Sequence, residues 1–316
     1  MLNESEINSL FELIYRDYDV DIDAEITLEA NPDDLSLSKI KALAHSPINR
    51  LSIGIQSFFE DDLRFMNRAH SAEESKNCLD ESKRYFENIT IDLIYGIPGM
   101  QVEKWTQNLQ TAFEFEVPHI SSYALTVEEK TLLSDLIKKG KIPELDEKMS
   151  LEHFKILVAE TEKQGFEHYE ISNFGKRGYL SKHNTSYWSG ESYIGIGPSA
   201  HSFDGYARSW NIANNHKYIK TISENQLPSE KEILTLHNRY NERIMTGLRT
   251  VWGISYKKIK VDFGEAHLEG LQKSAQNFID TGLLEVVSHS DSDQSLRCTE
   301  KGKFLADGLA SDLFLL

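Results

Sequence analysis

Three extended stretches of this chain carry polar side chains at every second position. In 25–31 (EITLEAN), Thr27, Glu29 and Asn31 share one face and Ile26, Leu28 and Ala30 the other, because successive strand residues point to opposite sides. In 50–57 (RLSIGIQS), Ser52, Gly54 and Gln56 stand opposite Leu51, Ile53 and Ile55. In 89–95 (ITIDLIY), Thr90 and Asp92 stand opposite Ile91, Leu93 and Tyr95. A polar row on one edge strand simply faces water. On three strands of a helix-covered parallel sheet it lines an interior, where polar groups need partners. Gly54 leaves room there, and Glu29, Gln56 and Asp92 supply acceptors for hydroxyls or an ammonium. They fall late in their strands, toward the carboxyl ends where the sites of βα barrels form. The plainer alternative is a water-filled interior or structural hydrogen bonding. Arg68, in NRAH (67–70), has the fork to clamp a carboxylate, although taken alone such a residue is more often a surface arginine.

A second group lies in KHNTSYWSG (182–190). A neutral imidazole at His183 suits an axial position on heme iron, and Tyr187 and Trp188 could cover a porphyrin face. Without that ligand, His183 is a polar loop residue, and His201 in GIGPSAHSF packs a turn. IDLIYGIPG (91–99) ends a strand in a Gly-Pro turn. The two cysteines, Cys78 and Cys298, are too far apart in sequence for metal-ligand spacing or a disulfide framework. They read as small buried hydrophobes.

The elements that must position these groups alternate. Helical periodicity covers 3–18, 37–45, 60–67, 71–86, 101–115, 130–139 and 147–165. Strand patterns cover 25–31, 50–57, 89–95, 119–126 and 168–173. The repeated βα unit predicts an α/β fold: a parallel sheet with helices outside, curled by right-handed crossovers into a full or partial (β/α) barrel. Residues 174–228 are rich in glycine, asparagine and aromatics and read as turns and loops. Beyond them, helices near 230–246, 255–260 and 265–280 precede strands at 283–288 and 295–299, joined by HSDSDQ, and a final helix over 300–315. That set predicts a winged-helix-like α+β module. The expected division is 1–175 for the partial barrel, 176–228 for a connecting region and 229–316 for the C-terminal module.

Composition bounds the function. With 316 residues and 40% hydrophobic content the chain can bury a sizeable core. A formal net charge of −16 repels phosphate backbones. The C-terminal module holds eleven Lys and Arg against thirteen Asp and Glu, a poor match to DNA despite its expected shape. A structural or docking role is therefore expected for it, and no nucleic-acid partner. No window approaches the roughly 18 apolar residues of a membrane helix, and the acidic N-terminus lacks a basic signal-peptide start. The expectation is a cytoplasmic protein without a transmembrane segment.

LEANP (28–32), RLSIGIQSF (50–58), NRAH (67–70), IDLIYGIPG (91–99), HYEISNF (168–174), HNTSYW (183–188), YIGIGPSAHSF (193–203) and GLRTVWGIS (247–255) occur in that order. Together they resemble the coproporphyrinogen-oxidase-like radical S-adenosylmethionine (SAM) family over nearly the whole chain. HNTSYW is similar to the HNxxYW heme motif of that family's heme chaperone (HemW) branch. The resemblance implies a radical SAM barrel in which Glu29, Gln56, Arg68 and Asp92 contact SAM. Gln56 and Asp92 would lie near the ribose and Arg68 near the methionine carboxylate. It implies heme held by His183, Asn184, Tyr187 and Trp188, with His183 on the iron, and delivery of that heme to an acceptor respiratory protein. Two alternatives stay open: an oxygen-independent coproporphyrinogen III oxidase-like enzyme of porphyrin biosynthesis, and a cluster-free, non-enzymatic binding variant.

The pattern departs from the family at one place. Members carry a CxxxCxxC loop, whose thiolates hold a [4Fe–4S] cluster, followed by a GGTP-like strand end. Neither occurs in this sequence, and Cys78 and Cys298 cannot replace them. The comparison implies either that an N-terminal piece is missing, which would leave a sheet edge exposed, or that the chain is a genuine cluster-free form. As written it is expected to perform no radical chemistry. Whether the complete protein forms a homodimer is left open by the sequence.

Overall fold

A computed structural model describes residues 2–290 and 293–315, with the side chain of Ser290 excepted. The chain divides into two compact units, Met1–Ser181 and Lys182–Leu316.

The first unit is built on a sheet whose leading strands are β1 (Thr27–Ala30), β2 (Arg50–Gln56), β3 (Ile89–Tyr95) and β4 (His119–Ala124), parallel and adjacent in that order. Helices α1 (Glu4–Asp17), α2 (Leu37–Ala44), α3 (Glu60–Phe65), α4 (Ala72–Ser82), α5 (Val102–Glu114), α6 (Leu132–Lys138) and α7 (Glu147–Lys163) precede or join the strands. Their starts follow from local chemistry. Asn3 with Glu6, and Ser71 with Glu74, form reciprocal capping boxes that satisfy otherwise orphaned amides of α1 and α4. The apolar rows foreseen on β2 and β3 are the core. Leu51, Ile53, Ile55 and Leu93 are 0% exposed, as are Ile40, Leu79, Trp105 and Leu157 of the helices. Tyr95 of β3 meets Trp105 at 5.7 Å and Phe154 at 6.4 Å between ring centroids, tying the sheet to α5 and α7.

The sheet is not closed. Its order is β1-β2-β3-β4-β6-β5, where β5 is Glu167–Glu170 and β6 is Asn173–Gly175. The architecture is therefore a partial barrel with β1 at one edge. The single strand expected at 168–173 is instead a hairpin, and β6 runs antiparallel to both β4 and β5. The reversal is stabilised by Glu170, whose Oε1 accepts the Ser172 N–H at 3.2 Å and a bond from the Asn173 side-chain amide.

The second unit opens with α8 (Lys182–Ser189). Strands β7 (His201–Phe203), β8 (Ala207–Asn211) and β9 (Ser229–Ile233) form an antiparallel sheet, with α9 (Asn215–Ser223) between the last two. Residues 174–228 thus hold regular elements where turns and loops were expected. Residues 229–233 are strand where a helix was expected. Helices α10 (Leu236–Leu248), α11 (Tyr256–Phe263) and α12 (Glu265–Asp280) follow, together with the sheet β10-β12-β11: β10 (Ile254–Ser255), β11 (Leu284–Ser290) and β12 (Asp293–Cys298). Three helices and an antiparallel hairpin are the winged-helix-like arrangement foreseen. Of the joining segment HSDSDQ, Asp291 and Ser292 lie outside the described residues. The expected final helix is divided into α13 (Glu300–Lys303) and α14 (Ala306–Asp312).

Candidate functional site

The polar row on β1–β4 is graded along the strands. Thr90 and Ser121 are buried, Gln56, Arg68 and Asp92 half-buried, and Glu29, Asn31 and Tyr123 exposed. The row opens at the carboxyl ends, as the alternation predicted. Below it, Glu25 and Arg50 pair at 3.9 Å, and His119 is bonded to Thr90 and to the Tyr169 hydroxyl, the latter at 2.8 Å. Burial, reinforced by the Arg50 charge, pushes His119 down to about 3, so this floor residue is a neutral imidazole at physiological pH.

At the open end the backbone departs from regular strand. Register shifts between Ile53 and Gln56, and Gln56 takes a left-handed conformation at φ +68°. A residue with a side chain holds that conformation only where its surroundings over-determine it. Here they do. The Ser57 hydroxyl donates to Asp62 at 2.8 Å, the Phe58 N–H donates to Asn108 Oδ1 at 2.7 Å, and Lys104 holds Asp62 at 2.6 Å. Arg68 is aimed by the turn ending α3, where Asn67 has φ +54° and the Arg68 N–H donates to the Leu63 carbonyl at 2.9 Å. Its Nη2 donates to Asn31 Oδ1 at 2.5 Å. His70, buried, bonds the Ile55 carbonyl at 3.1 Å.

Gly54 marks the point of convergence. A Cβ there would lie 3.0 Å from Gln56 Nε2, 3.3 Å from Arg68 Nη2 and 3.3 Å from Asn31 Oδ1. Asp92 faces the same space. Burial and the neighbouring Glu29 charge push its carboxyl up to about 6, while Ser121, Arg50 and Arg68 oppose the shift. Glu29, Gln56, Arg68 and Asp92 are therefore brought together, with a cation, an amide and two acids around a gap kept open by glycine. Ser121 and Tyr123 of β4 join them and were missed. The alternation of HISSYALT (119–126) was the available signal. The IDLIYGIPG turn is fixed against α7. Gly96 has φ +71°, its N–H donates to His153 Nδ1 at 3.2 Å, and a Cβ there would strike the Ser150 hydroxyl.

The residues present do not fit an iron–sulfur cluster. Cys78 and Cys298 are both buried, and burial pushes their thiols up to about 11 and about 12, far from thiolate ligands. Among the described residues no group of three or more His, Cys, Asp and Glu could hold a metal ion. The groups converging at Gly54, by contrast, are a guanidinium, an amide and two carboxyls, of the kind that pair with a carboxylate, an ammonium and hydroxyls.

In the second unit the motif expected in a loop lies on α8. His183 and Tyr187 are one turn apart, and Asn184 and Trp188 form a second such pair on the neighbouring face. The His183 and Tyr187 rings meet edge to face at 4.7 Å. Tyr187 continues to Tyr193 at 4.6 Å, and Tyr193 to Phe203 at 6.2 Å. Trp188 takes another direction, under the Arg249 guanidinium at 5.3 Å, with its indole Nε1 buried and unpartnered among the described residues. It lines a hollow of about 470 Å³ with Trp252 and Lys258, whereas Tyr187 lines one of about 410 Å³. Of the four motif residues, Tyr187 thus lines one hollow and Trp188 the other, and His183 and Asn184 line neither. His201 sits at the start of β7, 6.2 Å from the Trp210 ring, and joins neither. No helix among the described residues is long and apolar enough to cross a membrane.

Residues 2–112 match the Radical SAM superfamily and residues 234–305 the HemN C-terminal domain. The heme chaperone HemW of Bacillus subtilis is 34% identical over 310 residues, 97% of this chain and 80% of that protein. The mitochondrial radical S-adenosyl methionine domain-containing protein 1 of Bos taurus is 32% identical over 92% of this chain and 68% of its own. The solved coproporphyrinogen III oxidase (HemN) of Escherichia coli, described as a radical SAM enzyme, superposes with a TM-score of 0.80. It covers 99% of this chain and 75% of its own at 21% identity, which speaks for the fold.

Proposed function

Because this chain belongs to the heme chaperone HemW family of radical SAM proteins, we propose that it binds heme and S-adenosylmethionine and delivers the heme to an acceptor respiratory protein. The observation that carries the reading is the pairing of His183 with Tyr187 one helical turn apart, beside an aromatic-walled hollow. His183 would ligate the iron and Tyr187 flank the macrocycle, with Asn184 and Trp188 of the same motif bracing α8 from its neighbouring face. Heme titration of the purified chain tests it. We expect a Soret shift on binding that changes in shape and weakens about tenfold in His183→Ala. An unaltered spectrum in that variant would remove His183 from the site.

S-adenosylmethionine would occupy the gap at Gly54. The molecule supplies a sulfonium flanked by a carboxylate, an ammonium and ribose hydroxyls. Arg68 suits the carboxylate, Glu29 the ammonium, and Gln56 and Asp92 the ribose hydroxyls. Losing one charged hydrogen-bonding partner costs about 10- to 100-fold in affinity. Calorimetric titration of Arg68→Ala with SAM should show a loss of that size; unchanged affinity would place the ligand elsewhere. The cysteine loop that would hold the family's cluster does not occur in this sequence. A second reading, decarboxylation of coproporphyrinogen III, is favoured by the fold likeness to HemN. It predicts turnover of that substrate once a cluster-bearing form of the protein is supplied with SAM and reductant.

A further inference from the structure

The hollow beside Tyr187 measures about 410 Å³ and is lined by three arginines, Arg208, Arg239 and Arg243, among aromatic rings. The arginines are not equally committed. Arg208 is paired with Glu242 at 3.1 Å and lies 5.9 Å from the centre of the Phe203 ring. Arg243 donates to the Ser189 carbonyl at 3.1 Å, and Arg239 lies over the Tyr206 ring at 5.2 Å. Neither Arg239 nor Arg243 meets a carboxylate among the described residues, and the Arg239 Nε is buried without a hydrogen-bond partner among them. Two half-buried guanidiniums without a counter-charge are costly, and a bound carboxylate would satisfy them. The other acids on the rim, Glu191 and Asp262, are exposed and screened by water.

Walls of edge-to-face and tilted rings suit a flat apolar body, and the guanidinium fork suits a carboxylate bidentately. The geometry points to a subsite for the carboxylate edge of a planar aromatic ligand. Resting on the heme reading above, that edge is the pair of propionates of the porphyrin, held by Arg239 and Arg243. Tyr187 connects the two ends of the site, since it touches the His183 ring and also lines the arginine hollow. One histidine and two arginines then address different parts of the same cargo, iron and propionate.

The test compares heme with its dimethyl ester, whose propionates carry no charge, on the full chain and on Arg239→Gln/Arg243→Gln. We expect wild type to bind heme about 10- to 100-fold more tightly than the ester, and the double variant to bind both with the weaker, ester-like affinity. Equal binding of heme and ester by wild type overturns the subsite and leaves the heme reading standing. A preference for heme that persists in the double variant overturns its assignment to these arginines. Absence of heme binding from wild type removes the heme reading and the subsite together. The comparison on wild type needs no substitution, so a folding defect in the variant cannot mask the outcome.

Discussion

Asp92 stands where stability and binding pull in opposite directions. Its folded carboxyl is pushed up to about 6 from an ordinary 3.8, chiefly by burial. The folded chain therefore holds the proton more tightly than the unfolded chain. Stability should fall as pH rises from about 4 to about 6 and stay level above that. Asp92→Asn should raise stability at pH 7.5 by on the order of 2 kcal/mol, with the gain vanishing near pH 4; paired melting curves at the two pH values check this. If the ionised form accepts from the ribose, SAM affinity should weaken below about pH 6 in wild type, and Asp92→Asn should bind poorly at every pH. Gly96 offers a second test. Its left-handed φ and the nearby Ser150 hydroxyl predict that Gly96→Ala lowers stability by about 1–3 kcal/mol. Adding Ser150→Gly should recover only part of that loss, because the backbone strain remains. At this scale the sequence was uneven in what it disclosed. Strand alternation reached Glu29, Gln56 and Asp92, since period two is a local property. Arg239 and Arg243 lie one turn apart on α10 and Arg208 on β8, and only folding brings the two elements to one hollow.

Among elements, the irregular turn after β2 is held by several side-chain bonds. The turn after β2 is fixed through Asn108 on α5, whose Oδ1 accepts the Phe58 N–H and lies 3.2 Å from the Ser57 hydroxyl. Asn108→Ala leaves a buried amide unsatisfied and should cost about 1–3 kcal/mol in chemical denaturation. It should also loosen Gln56, which a weaker SAM affinity without loss of heme binding would report. The β2 and β3 strands and most helices of the first unit were legible because apolar periodicity and caps are short-range signals. The hairpin at β5 and β6 was not. Its turn residues, Ile171 and Ser172, carry no glycine or proline, and the reversal rests on side-chain bonds from Glu170 that pairing with β4 makes useful. Strand β9 was read as helix because SEKEI has no alternation to betray it. All five of its residues are exposed, and its place is set by backbone pairing with β8 and by the ion pair of Lys231 with Asp204 at 3.2 Å.

For the molecule as a whole, the thiol inventory makes the plainest prediction. Two buried cysteines with thiols pushed up to about 11 and about 12 cannot ligate a [4Fe–4S] cluster. Anaerobic treatment of this 316-residue polypeptide with iron and sulfide should leave no stoichiometric cluster by iron assay and electron paramagnetic resonance. Stoichiometric cluster formation would show ligands other than cysteine. Heme and SAM binding, which use other residues, should persist in the same preparation. The partial barrel and the α+β module were both foreseen, because strand and helix order is written along the chain. Where one compact unit ends and the next begins depends on long-range packing, which no local pattern records.

The two pairs on α8 also bear on how this chain tolerates change. Because each residue of a helix turns by about 100°, a substitution at 185 or 186 leaves the His183–Tyr187 and Asn184–Trp188 pairs in register. A single-residue insertion between Asn184 and Tyr187 would swing both aromatic side chains away from their partners at once. In descendants of this gene, that interval should therefore vary in letters and stay constant in length.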